Sequence, residues 1–389
     1  MIEKLKSTFL SKKDDNIEVA PRDEASLPHP LSLTDRIYGC LYAGAVGDAL
    51  GYAVEFDSIS TIREKFGPSG VSMRAISLVF PTWERCLVSD DTQMTMFTAE
   101  GLLVAHQRWG DRLTAERSLN CIRDAYLDWY ITQQSNPSQV PVGQLGHSHL
   151  MRVNRAPGMT CLSACKAGAI GTIERPLNDS MGCGGVMRVA PIGFLNLSDP
   201  AHCFMLGTKA AAMTHGHPMG YIPAGALSWL VNRLVQGESL KAAVFGLEEY
   251  LRGVEHAGLM RTLILSAMKI APISDIAPEH VEVLGGGWVG HECLAIAILA
   301  ALADVPLERK FEIAVNHSGD SDSTAAVLGN LIGAEVGHRA LLELPAYKSM
   351  VSKMDVAPLL EPLVKDFSDW IEGTSPAGII GIMEQLPQE

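Results

Sequence analysis

The sequence predicts an all-α fold, and three observations predict it. From Leu31 onward the chain is rich in Ala, Gly, Leu and Met, with long stretches of apolar residues at helical spacing. Runs of alternating β-branched residues are few. No tandem repeat of fixed period appears, and the helices carry many small residues, which favours a compact bundle over a solenoid.

The first thirty residues mix both charge signs, end in two closely spaced prolines and show no sustained apolar period, so residues 1–30 read as an N-terminal extension. Helices are then expected at Leu33 to Asp48, Thr92 to His106, Ala115 to Gln133, Pro200 to Met213, Ile222 to Val235, Leu240 to Arg252, His291 to Leu302 and Thr324 to Leu342. In the last of these, Ala325, Gly329, Ile332 and Val336 follow the spacing of a buried stripe whose first two members are small, which allows close helix packing. No internal linker resembles the leading segment, so residues 31–375 are expected to form one domain, followed by a tail at 376–389.

The 389 residues are 47% hydrophobic and 19% charged with a mean hydropathy of +0.13, a globular composition rather than a disordered one. Lys plus Arg number 31 against 44 Asp plus Glu, and the net charge of -13 argues against nucleic acid or an anionic membrane as partner. The longest apolar run near the C-terminus, Leu294 to Ala303, is half of the about 20 residues a bilayer demands. With seven charges among the first fifteen residues and no apolar core of the required length, no secretory signal is expected. Eight cysteines without a CxxC pair indicate neither zinc nor a disulfide framework, and a reducing cytoplasm fits them.

Two acid-plus-hydroxyl clusters stand far apart in the chain: Ser89-Asp90-Asp91-Thr92 and Asp320-Ser321-Asp322-Ser323-Thr324. Both precede helical runs. Each could simply cap its helix, because Ser and Asp satisfy the orphan N–H groups of a first turn. Capping does not require two carboxylates, however, and the surplus of hard oxygen donors is the chemistry of Mg²⁺, Mn²⁺ or Ca²⁺. An EF-hand is excluded, since counting from Asp320 places Ala325 where Gly is needed and Leu331 where Glu is needed. Upstream, glycines 44, 47 and 51 allow close backbone approach, and Glu55 follows in an apolar setting that would raise its pKa and suit it to proton transfer. Two glycine-rich segments, Ser180 to Arg188 and Gly285 to Glu292, offer backbone donors for phosphate, with Trp288 able to stack on a base or ribose; plain turns are the alternative. Thr214-His215-Gly216-His217 lacks a third soft ligand, so zinc is not expected there.

The order of these motifs resembles the ADP-ribosylglycohydrolase family, helical dimetal enzymes that include the dinitrogenase reductase-activating glycohydrolases. The resemblance runs from about Leu33 to Gly337: GDALG with Glu55, Ser89 to Thr92, Gly-Gly-Val-Met-Arg-Val-Ala-Pro at 184–191, Thr214-His215, Gly-Gly-Trp-Val at 286–289, and Asp320 to Ser323. It implies two Mg²⁺ or Mn²⁺ ions held by Ser89, Asp90, Asp91, Asp320, Asp322 and Ser323, with Glu55 and Asp320 as catalytic residues. Gly182, Cys183, Gly184, Gly185, His215, Gly286, Gly287 and Trp288 would contact the substrate. Ser89 and Ser323 stand where the family usually has threonine, and Cys183 where it commonly has asparagine. The implied activity is removal of ADP-ribose from a modified protein side chain, arginine first. Its alternative is an immunity-type protein that blocks an ADP-ribosyltransferase toxin through the N-terminal extension.

Overall fold

The computed structural model describes residues 31–74, 85–135 and 137–374; the expected extension at 1–30 and the tail at 376–389 lie outside them. Among the described residues there are seventeen α-helices and no strand. They are α1 (Leu33–Tyr52), α2 (Ile59–Phe66), α3 (Asp90–Trp109), α4 (Ala115–Thr132), α5 (Gln144–His147), α6 (Met159–Lys166), α7 (Pro200–Ala212), α8 (Pro218–Val235), α9 (Leu240–Leu251), α10 (Gly258–Ile270), α11 (Pro278–Val281), α12 (Gly290–Leu302), α13 (Leu307–Val315), α14 (Ser321–Val336), α15 (His338–Leu342), α16 (Pro345–Lys353) and α17 (Ala357–Ile371). The all-α expectation holds. No helix among the described residues is long and apolar enough to cross a membrane; Leu294 to Ala301 instead form the buried middle of α12, which is apolar on every side.

Seven of the eight expected helices form with ends shifted by a few residues. The eighth, expected over Thr324 to Leu342, divides in two. Gly337 takes φ +80° and closes α14, and α15 starts anew at His338. A Cβ at Gly337 would meet Asp35, whose Oδ1 also accepts the Arg339 amide at 3.0 Å. The break is therefore held by the first turn of α1.

α1 and α14 form the most intimate helix pair of the fold, and their sequences explain how. Glycines at 39, 44, 47 and 51 sit inside α1, where each is disfavoured by about 0.8–1.0 kcal/mol relative to alanine. Propensity alone would weaken this helix. Packing overrides it: a Cβ at Gly47 would overlap the Ala325 carbonyl, and one at Gly329 would overlap the Ala43 carbonyl. The small-residue row of α14 starts as the sequence predicts with Ala325 and Gly329, but it continues through Gly333 against Gly39 rather than through Ile332. The helices run antiparallel, so Gly51 near the end of α1 lies on Ser321 at the start of α14. At the other end Arg36 donates to the terminal carbonyls of Ala334 (2.8 Å) and Glu335 (2.7 Å) of α14 and of Leu234 (3.1 Å) of α8. The first turn of α14 is thereby indexed to the last turn of α1.

Replacing Gly47 with valine forces a branched side chain into this backbone contact. The expected loss is at least about 1–3 kcal/mol, read as a lowered midpoint in thermal unfolding. Gly258→Ala, at a glycine whose Cβ would meet nothing within 4 Å, serves as the neutral comparison.

Candidate acidic centre

Three helix ends converge on one buried point. Ser89 caps α3 by accepting the Asp91 amide at 3.2 Å, which places Asp90 and Asp91 in the first turn. Asp320 caps α14 by accepting the Ser323 amide at 3.2 Å, with Asp322 in that first turn. Asp48 of α1 links them. Its carboxylate accepts the amides of Ser89 (2.8 Å) and Thr92 (3.0 Å) and the Thr92 hydroxyl, so α1 caps α3 from outside while its glycines hold α14. Asp48 stands in the GDALG motif, and its signal is the one acid in the apolar, glycine-rich second half of α1.

The two distant clusters meet. Asp90, Asp91, Asp320 and Asp322 are buried, as are Ser89 and Ser323, and Glu55 is 8% exposed beside them. Burial, then repulsion from Asp320, Asp90 and Asp48, pushes the Glu55 carboxyl up to about 8. Asp90 is raised to about 8 by burial and by Asp48 and Asp320, against the Gly158 amide that it accepts at 3.2 Å. Burial and the neighbouring acids also hold Asp91 and Asp322 well above the usual carboxylate range. The Ser323 hydroxyl of α14 lies beside Asp91 of α3 and moderates its rise. Asp320 accepts the Cys183 thiol at 2.7 Å, a contact that sequence reasoning did not supply.

Several of these donors fit a hard divalent cation. Asp91 Oδ2 and Glu55 Oε2 are buried and hydrogen-bond to nothing in the protein. Among the described residues no three His, Cys, Asp or Glu side chains already stand closed around an ion-sized point. Asp320 and Asp322 are instead hydrogen-bonded to each other, and Asp320 to Cys183. Ligation by this set requires those carboxylates to release these contacts and turn inward.

The two glycine segments pair at an isolated antiparallel bridge, Gly182 with Val289. Cys183 N–H donates to Trp288 O (3.1 Å), and Gly290 N–H to Met181 O (2.8 Å). Cys183, Gly184 and Gly185 form a short 3₁₀ turn, with His215 buried beneath it. The expectation that Gly286 and Gly287 present free amides to a phosphate needs correction. Both donate to Glu292 Oε2, at 3.0 and 3.2 Å, because the first turn of α12 aims that carboxylate back at the loop. Gly286 O accepts the Asp320 amide at 2.8 Å, so this loop buttresses the acidic segment. Trp288 is exposed and stacks on Phe56, the neighbour of Glu55, with ring centroids 5.7 Å apart. Phe56 had no sequence signal, since its exposure is a tertiary fact.

The acids make a pH prediction. Glu55 has an ordinary value of 4.5 and a folded value of about 8, so between those limits the folded state holds a proton that the unfolded state has lost. Stability measured by urea unfolding in chelator should therefore fall as pH rises from 4.5 towards 8. Glu55→Gln should flatten that slope, and an unchanged slope would contradict the raised carboxyl.

Comparison with known proteins agrees with this architecture. A family model described as ADP-ribosylglycohydrolase matches residues 29–374. The chain is 26% identical over 330 residues to the YegU protein of Escherichia coli K12, covering 79% of this chain and 90% of that one. It is 25% identical over 307 residues to the ADP-ribosyl-[dinitrogen reductase] glycohydrolase of Rhodospirillum rubrum, covering 79% and 87%. A solved structure titled ADP-ribosylglycohydrolase-related protein complex superposes with a TM-score of 0.57 at 23% identity, over 87% of this chain and 97% of the other, and shares the fold. With a family model matched along nearly the whole of the described chain, this protein belongs to the ADP-ribosylglycohydrolase family.

Proposed function

We propose that this protein is a divalent-metal-dependent hydrolase that removes ADP-ribose from modified protein side chains, arginine foremost. The observation that carries the reading is the convergence of Asp90 and Asp91 with Asp320 and Asp322 beside Glu55, from segments more than two hundred residues apart, in a chain of this family. The name of the Rhodospirillum relative, a glycohydrolase acting on ADP-ribosyl-dinitrogen reductase, supports a protein-linked substrate.

In this reading Ser89, Asp90, Asp91, Asp320, Asp322 and Ser323 hold two Mg²⁺ or Mn²⁺ ions. Bound there, such ions would lower the pKa of water and polarise ribose oxygens. The remaining work belongs to the chain. Breaking the bond between ribose C1″ and the acceptor passes through an oxocarbenium-like transition state, which requires proton movement at the leaving group or the attacking water. Glu55, buried beside these acids with an oxygen that hydrogen-bonds to nothing in the protein, is the group placed to hold or pass that proton. The Gly182–Gly185 turn and His215 bind the ADP-ribose moiety, and Trp288 borders the mouth. The immunity reading needs residues 1–30, which lie outside the described residues, and no observation in the fold favours it.

The test is release of free ADP-ribose from an arginine-ADP-ribosylated protein with Mg²⁺ or Mn²⁺, and its loss in chelator. Asp320→Ala should reduce turnover by about a hundredfold or more, the scale on which support of a metal site matters. No release with any divalent ion would overturn the proposal.

A further inference from the structure

Arg188 is fully buried, yet no carboxylate pairs with it among the described residues. Its guanidinium lies over the Tyr126 ring at 4.3 Å and donates from Nη2 to the Ala210 carbonyl (3.2 Å) and the Thr214 hydroxyl (2.7 Å). Nη1 faces the sulfurs of Cys161 and Met94. A buried cation is costly to maintain, and this one spends its strongest hydrogen bond on a single hydroxyl.

That hydroxyl has one proton to give. Arginine carries donors only, so Thr214 Oγ1 accepts from Arg188 and must direct its own hydrogen elsewhere. Two acceptors are in reach: His215 Nδ1 at 2.8 Å and the Ala211 carbonyl at 3.3 Å. The carbonyl already accepts the backbone amides of Thr214 (3.0 Å) and His215 (2.9 Å), which occupy its two lone pairs. The proton therefore goes to Nδ1, the shorter contact. The ring is neutral, because burial and then Arg188 push its pKa down to about 3. A neutral ring that accepts at Nδ1 carries its hydrogen on Nε2.

Nε2 lies under the glycine turn. A Cβ at Gly182 would stand 3.3 Å from it and one at Gly184 3.2 Å, so the absence of side chains at both positions keeps the nitrogen clear. We propose that Arg188 and Thr214 fix His215 as its Nε2–H tautomer and so make it a hydrogen-bond donor to an oxygen of the ligand held at the Gly182–Gly185 turn. Arg188 and Thr214 are positioning residues, acting through His215. The ligand half of the inference rests on the proposed ADP-ribose site; the tautomer half does not.

The test is ¹⁵N NMR of the full chain with labelled histidine, the His215 signal being assigned by its loss in His215→Gln. Wild-type protein should show Nδ1 at the position of an unprotonated ring nitrogen and Nε2 protonated. Thr214→Val should abolish that preference and Thr214→Ser restore it. In parallel, ADP-ribose affinity measured with Mg²⁺ should fall about tenfold in Thr214→Val, the scale of one hydrogen bond to a charged group, and recover in Thr214→Ser. A protonated Nδ1 in the wild type, or an unchanged tautomer in Thr214→Val, would overturn the proposal; the wild-type spectrum decides even if the valine variant does not fold. Affinity that is normal in Thr214→Val despite a changed tautomer would remove the donor role. A tautomer that behaves as expected in a wild-type protein that binds no ADP-ribose would uphold the relay and place the failure in the proposed function.

Discussion

The backbone contact between α1 and α14 is the constraint from which the site follows. Side chains normally hold helix axes 8–10 Å apart. Here glycines on both helices remove that spacer, and carbonyls of one helix lie where Cβ atoms of the other would be. Such a contact tolerates little sliding, because a shift along the axis sets Ala325 or Asn330 against backbone. Fixing the register also fixes which residues share a level: Asp48 and Gly51 on α1 with Ser321 and Asp322 on α14. The helices thus deliver acids from opposite ends of the chain to one depth in the fold.

That delivery conflicts with electrostatics. Carboxylates gathered in a buried place repel one another and lose hydration, which is why Glu55, Asp90, Asp91 and Asp322 are all held above their ordinary range. The fold offsets part of the cost locally. Asp90 and Asp91 sit at the start of α3 and Asp322 at the start of α14, where the helix dipole favours negative charge by about 0.3–1 kcal/mol each. Those terms are smaller than repulsion among several buried charges, so the remainder must be met by protons or by cations. The proton-sharing pair Asp320 and Asp322 and the unpartnered oxygens of Asp91 and Glu55 are the two faces of that balance.

Much of this was legible in the sequence, for identifiable reasons. Helices announce themselves through apolar period and caps, and both acidic clusters stand at caps. The small residues at 325 and 329 announced a close packing face, but its continuation through Gly333 depended on which row met α1. The boundary at Gly337 was missed because the apolar period runs on through α15; only the contact with Asp35 shows why the chain must turn. At Gly286 and Gly287 the sequence shows two donors but not the carboxylate that accepts them. Glu292 lies five residues after Gly287, close enough to fold back once α12 begins at Gly290.

The buried arginine sharpens a distinction between the floor of the site and its mouth. At the floor Arg188, Thr214 and Asp48 are fully enclosed: Arg188 reaches His215 only through Thr214, and Asp48 holds the amides of Ser89 and Thr92. At the mouth Phe56 and Trp288 are exposed and touch across two loops. Groups that must keep one orientation need partners packed too tightly to move, whereas groups that meet a molecule arriving from solvent must be reachable. Arg188 belongs to the first kind: the Tyr126 ring, the Ala210 carbonyl and the Thr214 hydroxyl hold its guanidinium in one place, and through Thr214 that fixed charge bears on the tautomer of a neutral imidazole.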